Sequence, residues 1–171
     1  MKPTFWQRLD VIVRSMTPFF LTLAFVVLAQ VPLHIPGFAE VAPILPLMAV
    51  YHWTIYRPDL LPAVAVFFAG LLHDALSGMP FGVNAAVFVI VHMAVMSQQV
   101  FFQGKSFPVI WLGFALVAAG AVMLTWLLNA LFFAAIAPAE VAFAQYLVTV
   151  GAFPVLAWLL ARWQRTILAQ V

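Results

Sequence analysis

From Phe107 to Ile136 the chain carries no charged side chain. As a helix rising about 1.5 Å per residue, such a run exceeds the roughly 30 Å hydrocarbon thickness of a bilayer. In water it would expose apolar surface that nothing nearby could solvate. The rest of the chain follows the same rule, because its apolar runs divide at charges and Pro/Gly clusters into six: about 16–33, 43–56, 60–77, 80–100, 107–136 and 141–161. With 67% hydrophobic and 7% charged residues and a mean hydropathy of +1.14, the composition lies far from the about 45–50% apolar content of soluble domains. The predicted fold class is all-α, a polytopic bundle of six transmembrane helices forming one integral membrane domain over residues 1–171. Period-2 alternation is missing, which argues against a transmembrane β-barrel. The second run reaches only about 21 Å as a helix, so it must thin the bilayer, begin earlier near Phe38, or be shielded by protein.

Basic residues set an orientation, because Lys and Arg accumulate in short cytoplasmic segments. Lys2, Arg8 and Arg14 precede the first run, Arg57 lies between the second and third, Lys105 between the fourth and fifth, and Arg162 and Arg165 follow the sixth. All seven therefore fall on one side of a six-span path, which predicts both termini inside. The start of the chain lacks a small-x-small cleavage pattern and reads as a retained first span. Within residues 5–14, Phe5, Trp6, Leu9, Ile12 and Val13 share one helical side, and Gln7, Asp10 and Arg14 the other. That suits an interfacial helix, or an extension of the first span. Tyr51, Trp53, Tyr56, Trp111, Trp158 and Trp163 lie near the predicted inner ends, as an aromatic belt would.

Signatures of catalysis are missing. HExxH, GxSxG and GxxxxGK[ST] do not occur, and no two acids are spaced for paired acid and base work. The chain contains no cysteine, which removes disulfides, thiolate nucleophiles and Cys-ligated metals. His52 and His92, near mid-span and without nearby acids, make a poor metal site. A net charge of +2 over so few titratable groups does not point to nucleic acid. No cofactor is expected.

Polar groups inside the runs are informative, because lipid cannot satisfy them. Asp74 is the one acid within a run, toward the outer end of the third. Gly70, Asp74 and Ser77, at i, i+4 and i+7, form a small, polar face that must turn toward protein. Gly78 ends the third run, Pro80 suits the first turn of the fourth, and Gly82 permits tight packing. A carboxylate four residues before that turn can accept the unpaired amides of the next helix, with Asn84 as a second hydrogen-bonding group. Asp74 is thus expected to lock a hairpin; contact with a ligand or partner, or proton or ion translocation, are the alternatives. His73 points about 100° away and need not pair with Asp74. Asn129 and Gln145, at a similar depth to Asp74 and Asn84, are candidates for an outward-facing pocket. Gly113 and Gly120, seven apart in the fifth run, form a small-residue stripe suited to helix packing within the chain or in a homodimer.

These residues carry a resemblance. The six-run layout, "PILPLMAVYHWTIYRPDLLP" (residues 43–62) and "FFAGLLHDALSGMPFG" (residues 67–82) resemble the rod shape-determining protein MreD family. The motif is met by Pro43, Pro46, Tyr51, Trp53, Pro58, Gly70, Leu71, Asp74, Gly78 and Gly82. The resemblance implies a non-enzymatic inner-membrane component of the machinery that elongates rod-shaped bacteria. Its implied direct partner is MreC, and through MreC the actin-like MreB, the RodA glycosyltransferase and a class B penicillin-binding protein. A second expectation, from the compact six-span layout, is a small-molecule or lipid-binding subunit resembling the substrate-binding components of vitamin importers, with the outer polar group as its pocket.

Overall fold

A computed structural model describes residues 15–31 and 41–167. The interfacial helix expected over residues 5–14 lies outside the described residues, as do His34, Phe38 and Glu40. The described residues are helical, with no strand among them. In chain order the helices are α1 (Thr17–Leu28), α2 (Leu45–Tyr56), a 3-10 turn (Pro58–Leu60), α3 (Ala63–Ser77), α4 (Val83–Ser97), the single turn α5 (Gln99–Phe102), α6 (Phe107–Phe133) and α7 (Ala139–Ile167). Two, α6 and α7, are long and apolar enough to cross a membrane by length and composition; α1, α3 and α4 are shorter apolar helices.

Each boundary falls where the backbone can no longer continue. Helix α3 stops at Ser77 because Gly78 turns left-handed at φ 67°, a conformation that costs other residues a Cβ clash. Helix α4 starts at Val83 rather than at residue 80, because Gly82 is also left-handed at φ 100°. Pro80 therefore lies in the turn and not in the first turn of the helix; its carbonyl accepts the Val83 amide at 3.3 Å. Helix α6 ends at a left-handed Ala134. The helices are shorter than the sequence intervals at most ends, except that α7 begins at Ala139 and runs to Ile167, beyond the expected 141–161.

Helix α2 occupies the centre. Every residue from Pro46 to Ile55 is buried, and the helix packs against α1, α4 and α7. At about 18 Å it is too short to cross a bilayer alone, and protein surrounds it on all sides. That burial agrees with the expectation of shielding by protein; a start near Phe38 lies outside the described residues. The same burial corrects the aromatic belt. Tyr51 and Trp53 are fully buried core residues, whereas Tyr56, Trp158 and Trp163 are exposed. Tyr51 donates its hydroxyl to the Ile110 carbonyl at 2.9 Å and lies edge-on to Phe114 and Phe153, which stack on each other 4.1 Å apart.

Helix α7 contains Pro154, which has no N–H to give the Val150 carbonyl one turn earlier. Trp111 of α6 fills that vacancy, its indole N–H reaching Val150 O at 2.9 Å. The freed backbone acceptor is thereby satisfied within protein, as a lipid setting requires. The glycine stripe on α6 is divided. A Cβ at Gly113 would lie 2.5 Å from the Phe102 ring and 2.7 Å from the Tyr51 hydroxyl, while at Gly120 it would meet nothing within 4 Å. Gly113 is an internal contact, and Gly120 looks outward.

Candidate functional site

The α3–α4 hairpin is the most tightly closed part of the chain. At Gly70 a Cβ would collide with the Ala85 Cα, so the two backbones touch where only glycine fits. This approach brings the end of α3 over the start of α4, and Asp74 is the side chain placed there. It is fully buried. Its Oδ2 accepts the Gly82 amide at 2.9 Å and the Ala85 amide at 3.3 Å; its Oδ1 accepts the Asn84 amide at 3.0 Å and the Asn84 side-chain Nδ2 at 2.9 Å. A helix normally has its first amides capped by the side chain just before it. Gly82 occupies that position without a side chain, and Asp74 supplies the cap from the preceding helix. With Val83 bonded to Pro80 O and Ala86 to Gly82 O, the first amides of α4 all have partners.

The carboxylate sits without a Lys or Arg partner among the described residues; the ion pair there joins Arg57 and Asp59, on the exposed α2–α3 turn. Four donated N–H groups and the positive end of α4 take the place of a counter-charge.

His73, one residue earlier, faces elsewhere. Gln30, in the turn just after α1, donates its Nε2 to Ser77 Oγ at 2.9 Å and lies 3.3 Å from His73 Nδ1, while Ser77 Oγ donates to the His73 carbonyl at 2.6 Å. Since Gln30 contributes a donor, His73 Nδ1 is the acceptor and the ring proton belongs on Nε2. The ring stacks on Phe88 of α4, 5.8 Å between centroids. This Gln30–His73–Ser77 cluster pins the turn after α1 to α3.

Beside the hairpin lies a cavity of about 370 Å³. Asn84, Asn129 and Gln145, each expected near an outer pocket, all line it; Asp74 does not, being sealed behind Asn84. Gln30, His73, Ser77 and Thr125 also line it. Gln145 donates Nε2 to the Ala42 carbonyl at 3.2 Å, and Thr149 accepts the Ile44 amide at 3.2 Å, so α7 fixes the entry into α2. Asn129 Oδ1 is buried and has no hydrogen-bond partner. At the other end an apolar cavity of about 390 Å³ lies between α2, α6 and α7, with His52, Tyr56, Phe153 and Trp158 in its wall. In mid-core, Thr54 donates to Val50 O at 2.6 Å, so the 2.8 Å contact with His92 Nδ1 has His92 as donor. Among the described residues no group of His, Cys, Asp or Glu is arranged to hold a metal ion.

A close glycine contact, a buried carboxylate capping the next helix, and an aromatic α2 enclosed by its neighbours occupy the positions of the sequence motif. The profile of the family described as rod shape-determining protein MreD matches residues 10–167, nearly the whole chain. The chain belongs to the MreD family. No curated protein and no solved structure matches it. As an MreD-family member it is a membrane protein involved in determining rod shape.

Proposed function

We propose that the chain is a non-enzymatic, multi-pass scaffold of the bacterial inner membrane that binds MreC and helps organise peptidoglycan synthesis during elongation. Through MreC it is linked to MreB, RodA and a class B penicillin-binding protein. It crosses six times with both termini in the cytoplasm. The observation that carries this reading is the family match over residues 10–167. Two features support it. Arg57, Lys105, Arg162 and Arg165 all belong to the end where α2 and α7 finish and α6 begins, around the apolar cavity, as inward-facing basic residues would. Long stretches of α6 and α7 leave large apolar side chains uncovered, Leu112, Leu116, Val155 and Trp158 among them, available to lipid or to a partner's transmembrane helix.

The test is co-purification of MreC with the tagged full chain from membranes. MreC is expected to be retained, and Asp74→Ala to lower the protein level or that retention. Accumulation and MreC recovery both unchanged in Asp74→Ala, or no MreC with the native chain, would count against the proposal. The natural lack of cysteine makes the topology separately testable. Ala135→Cys should react with a membrane-impermeant maleimide in intact spheroplasts, and Lys105→Cys only after lysis.

A further inference from the structure

We propose that the polar cavity beside the α3–α4 hairpin is a binding site for a hydroxyl-rich, uncharged group such as a sugar or glycerol head. Its volume, about 370 Å³, falls within the roughly 300–1,000 Å³ usual for small-ligand sites. Among the described residues, the polar side chains lining it are amides, hydroxyls, an imidazole and an indole, with no Asp, Glu, Lys or Arg, and several of their N–H groups are already committed. Gln30 Nε2 is given to Ser77, Asn84 Nδ2 to Asp74, and Gln145 Nε2 to the Ala42 carbonyl. Asn84 and Gln145 each keep a second N–H, and all three amides keep a carbonyl oxygen to offer. Asn129 Oδ1 is a further acceptor, buried and without a partner, and a buried acceptor of that kind is costly unless something donates to it. The cavity therefore offers amide N–H donors beside several acceptors, the complement that hydroxyls, which both give and receive, require, with the Asp74 carboxylate close behind Asn84. Among the described residues an anion would meet no Lys or Arg there. A cluster of hydroxyls would meet several acceptors, and Thr125, one turn before Asn129, adds a hydroxyl able to give or receive. Trp126, whose N–H is held by the Ala137 carbonyl at 3.0 Å, supplies an aromatic wall of the kind on which the C–H face of a sugar packs. This inference does not rest on the scaffold reading, and its failure would leave MreC retention untouched.

The test uses the purified full chain in nanodiscs of phosphatidylcholine, whose head has no N–H or O–H. Ligand retention is read by native mass spectrometry and by the unfolding midpoint. Methyl β-glucoside, monoglucosyl diacylglycerol and phosphatidylethanolamine are added in turn. One or both glucosides should be retained and raise the midpoint; binding of both assigns recognition to the head alone, and of the glycolipid only to a membrane-borne ligand. Asn129→Leu should weaken binding by up to about tenfold while raising the midpoint of the unliganded protein, because it removes an unpaired acceptor. A purely structural Asn129 would lower that midpoint instead. Thr125→Val should also weaken binding, and it decides the matter if Asn129→Leu fails to fold. No binding of either glucoside, retention of phosphatidylethanolamine alone, or native affinity in the folded variants would overturn the assignment.

Discussion

Asp74 is a buried charge whose compensation is entirely local, and the arithmetic of its four bonds makes a graded prediction. Asp74→Ala strands three backbone amides and the Asn84 side chain; with about 1–3 kcal/mol for each unsatisfied buried donor, it should cost at least about 3 kcal/mol. Asp74→Asn keeps the shape but turns an amide donor toward other donors, and should cost nearly as much. Asn84→Ala gives up a single charge-assisted bond and should cost about 1–2 kcal/mol. Thermal unfolding in detergent should therefore rank native above Asn84→Ala, with both Asp74 variants lowest. If Asn84→Ala proved as damaging as Asp74→Ala, the backbone cap would not be what Asp74 is for. Much of this corner is legible in the sequence, since a lone carboxylate before Ser-Gly-Met-Pro has few places to go other than the amides beyond the turn. The Gln30–His73–Ser77 cluster is not legible. Its members lie 43 and 47 residues apart, and nothing local to Gln30 announces a partner on α3. Pro80 misleads for a related reason: proline suits a helix start, but a left-handed Gly82 puts that start three residues later.

At the scale of elements, membrane helices hide the distinction that sequence patterning usually reveals. A soluble helix shows its buried face as an apolar stripe; in a bilayer the lipid face is apolar too. For this reason the bounds of α3, α4 and α6 are legible to within three residues, while their faces are not. Tyr51 and Trp53 look like interfacial anchors by position, yet they form the core. The two glycines of α6 separate just as sharply. Gly113→Ala drives a methyl group into Phe102 and the Tyr51 hydroxyl, and overpacking of this kind costs about 1–3 kcal/mol. Gly120→Ala adds a methyl where nothing lies within 4 Å, in mid-helix, and should gain about 0.5–1 kcal/mol through helix propensity. The opposite signs are measurable as opposite shifts in unfolding midpoint for the isolated chain. A loss at Gly120 equal to that at Gly113 would mean that Gly120 is covered by a second copy of the chain.

At the scale of the whole molecule, the enclosed α2, the basic end and the polar end form one arrangement: a short central helix that needs no lipid contact, surrounded by helices that do. Little of α6 or α7 is buried inside the molecule, and what surrounds their outer faces is therefore decisive. Leu116, well inside α6, is 78% exposed. In a water-soluble bundle so exposed a position accepts arginine almost without cost, within about 0.5 kcal/mol. In a bilayer, the same side chain near the centre of a transmembrane helix costs about 3 kcal/mol of insertion free energy. Leu116→Arg should accordingly lower the carbonate-resistant membrane fraction and total accumulation several-fold, whereas Lys105→Gln, beyond the helix end, should leave both near native. Normal accumulation of Leu116→Arg would place that face of α6 against water or an acidic partner surface, and lipid would no longer be the solvent that the exposed leucines imply.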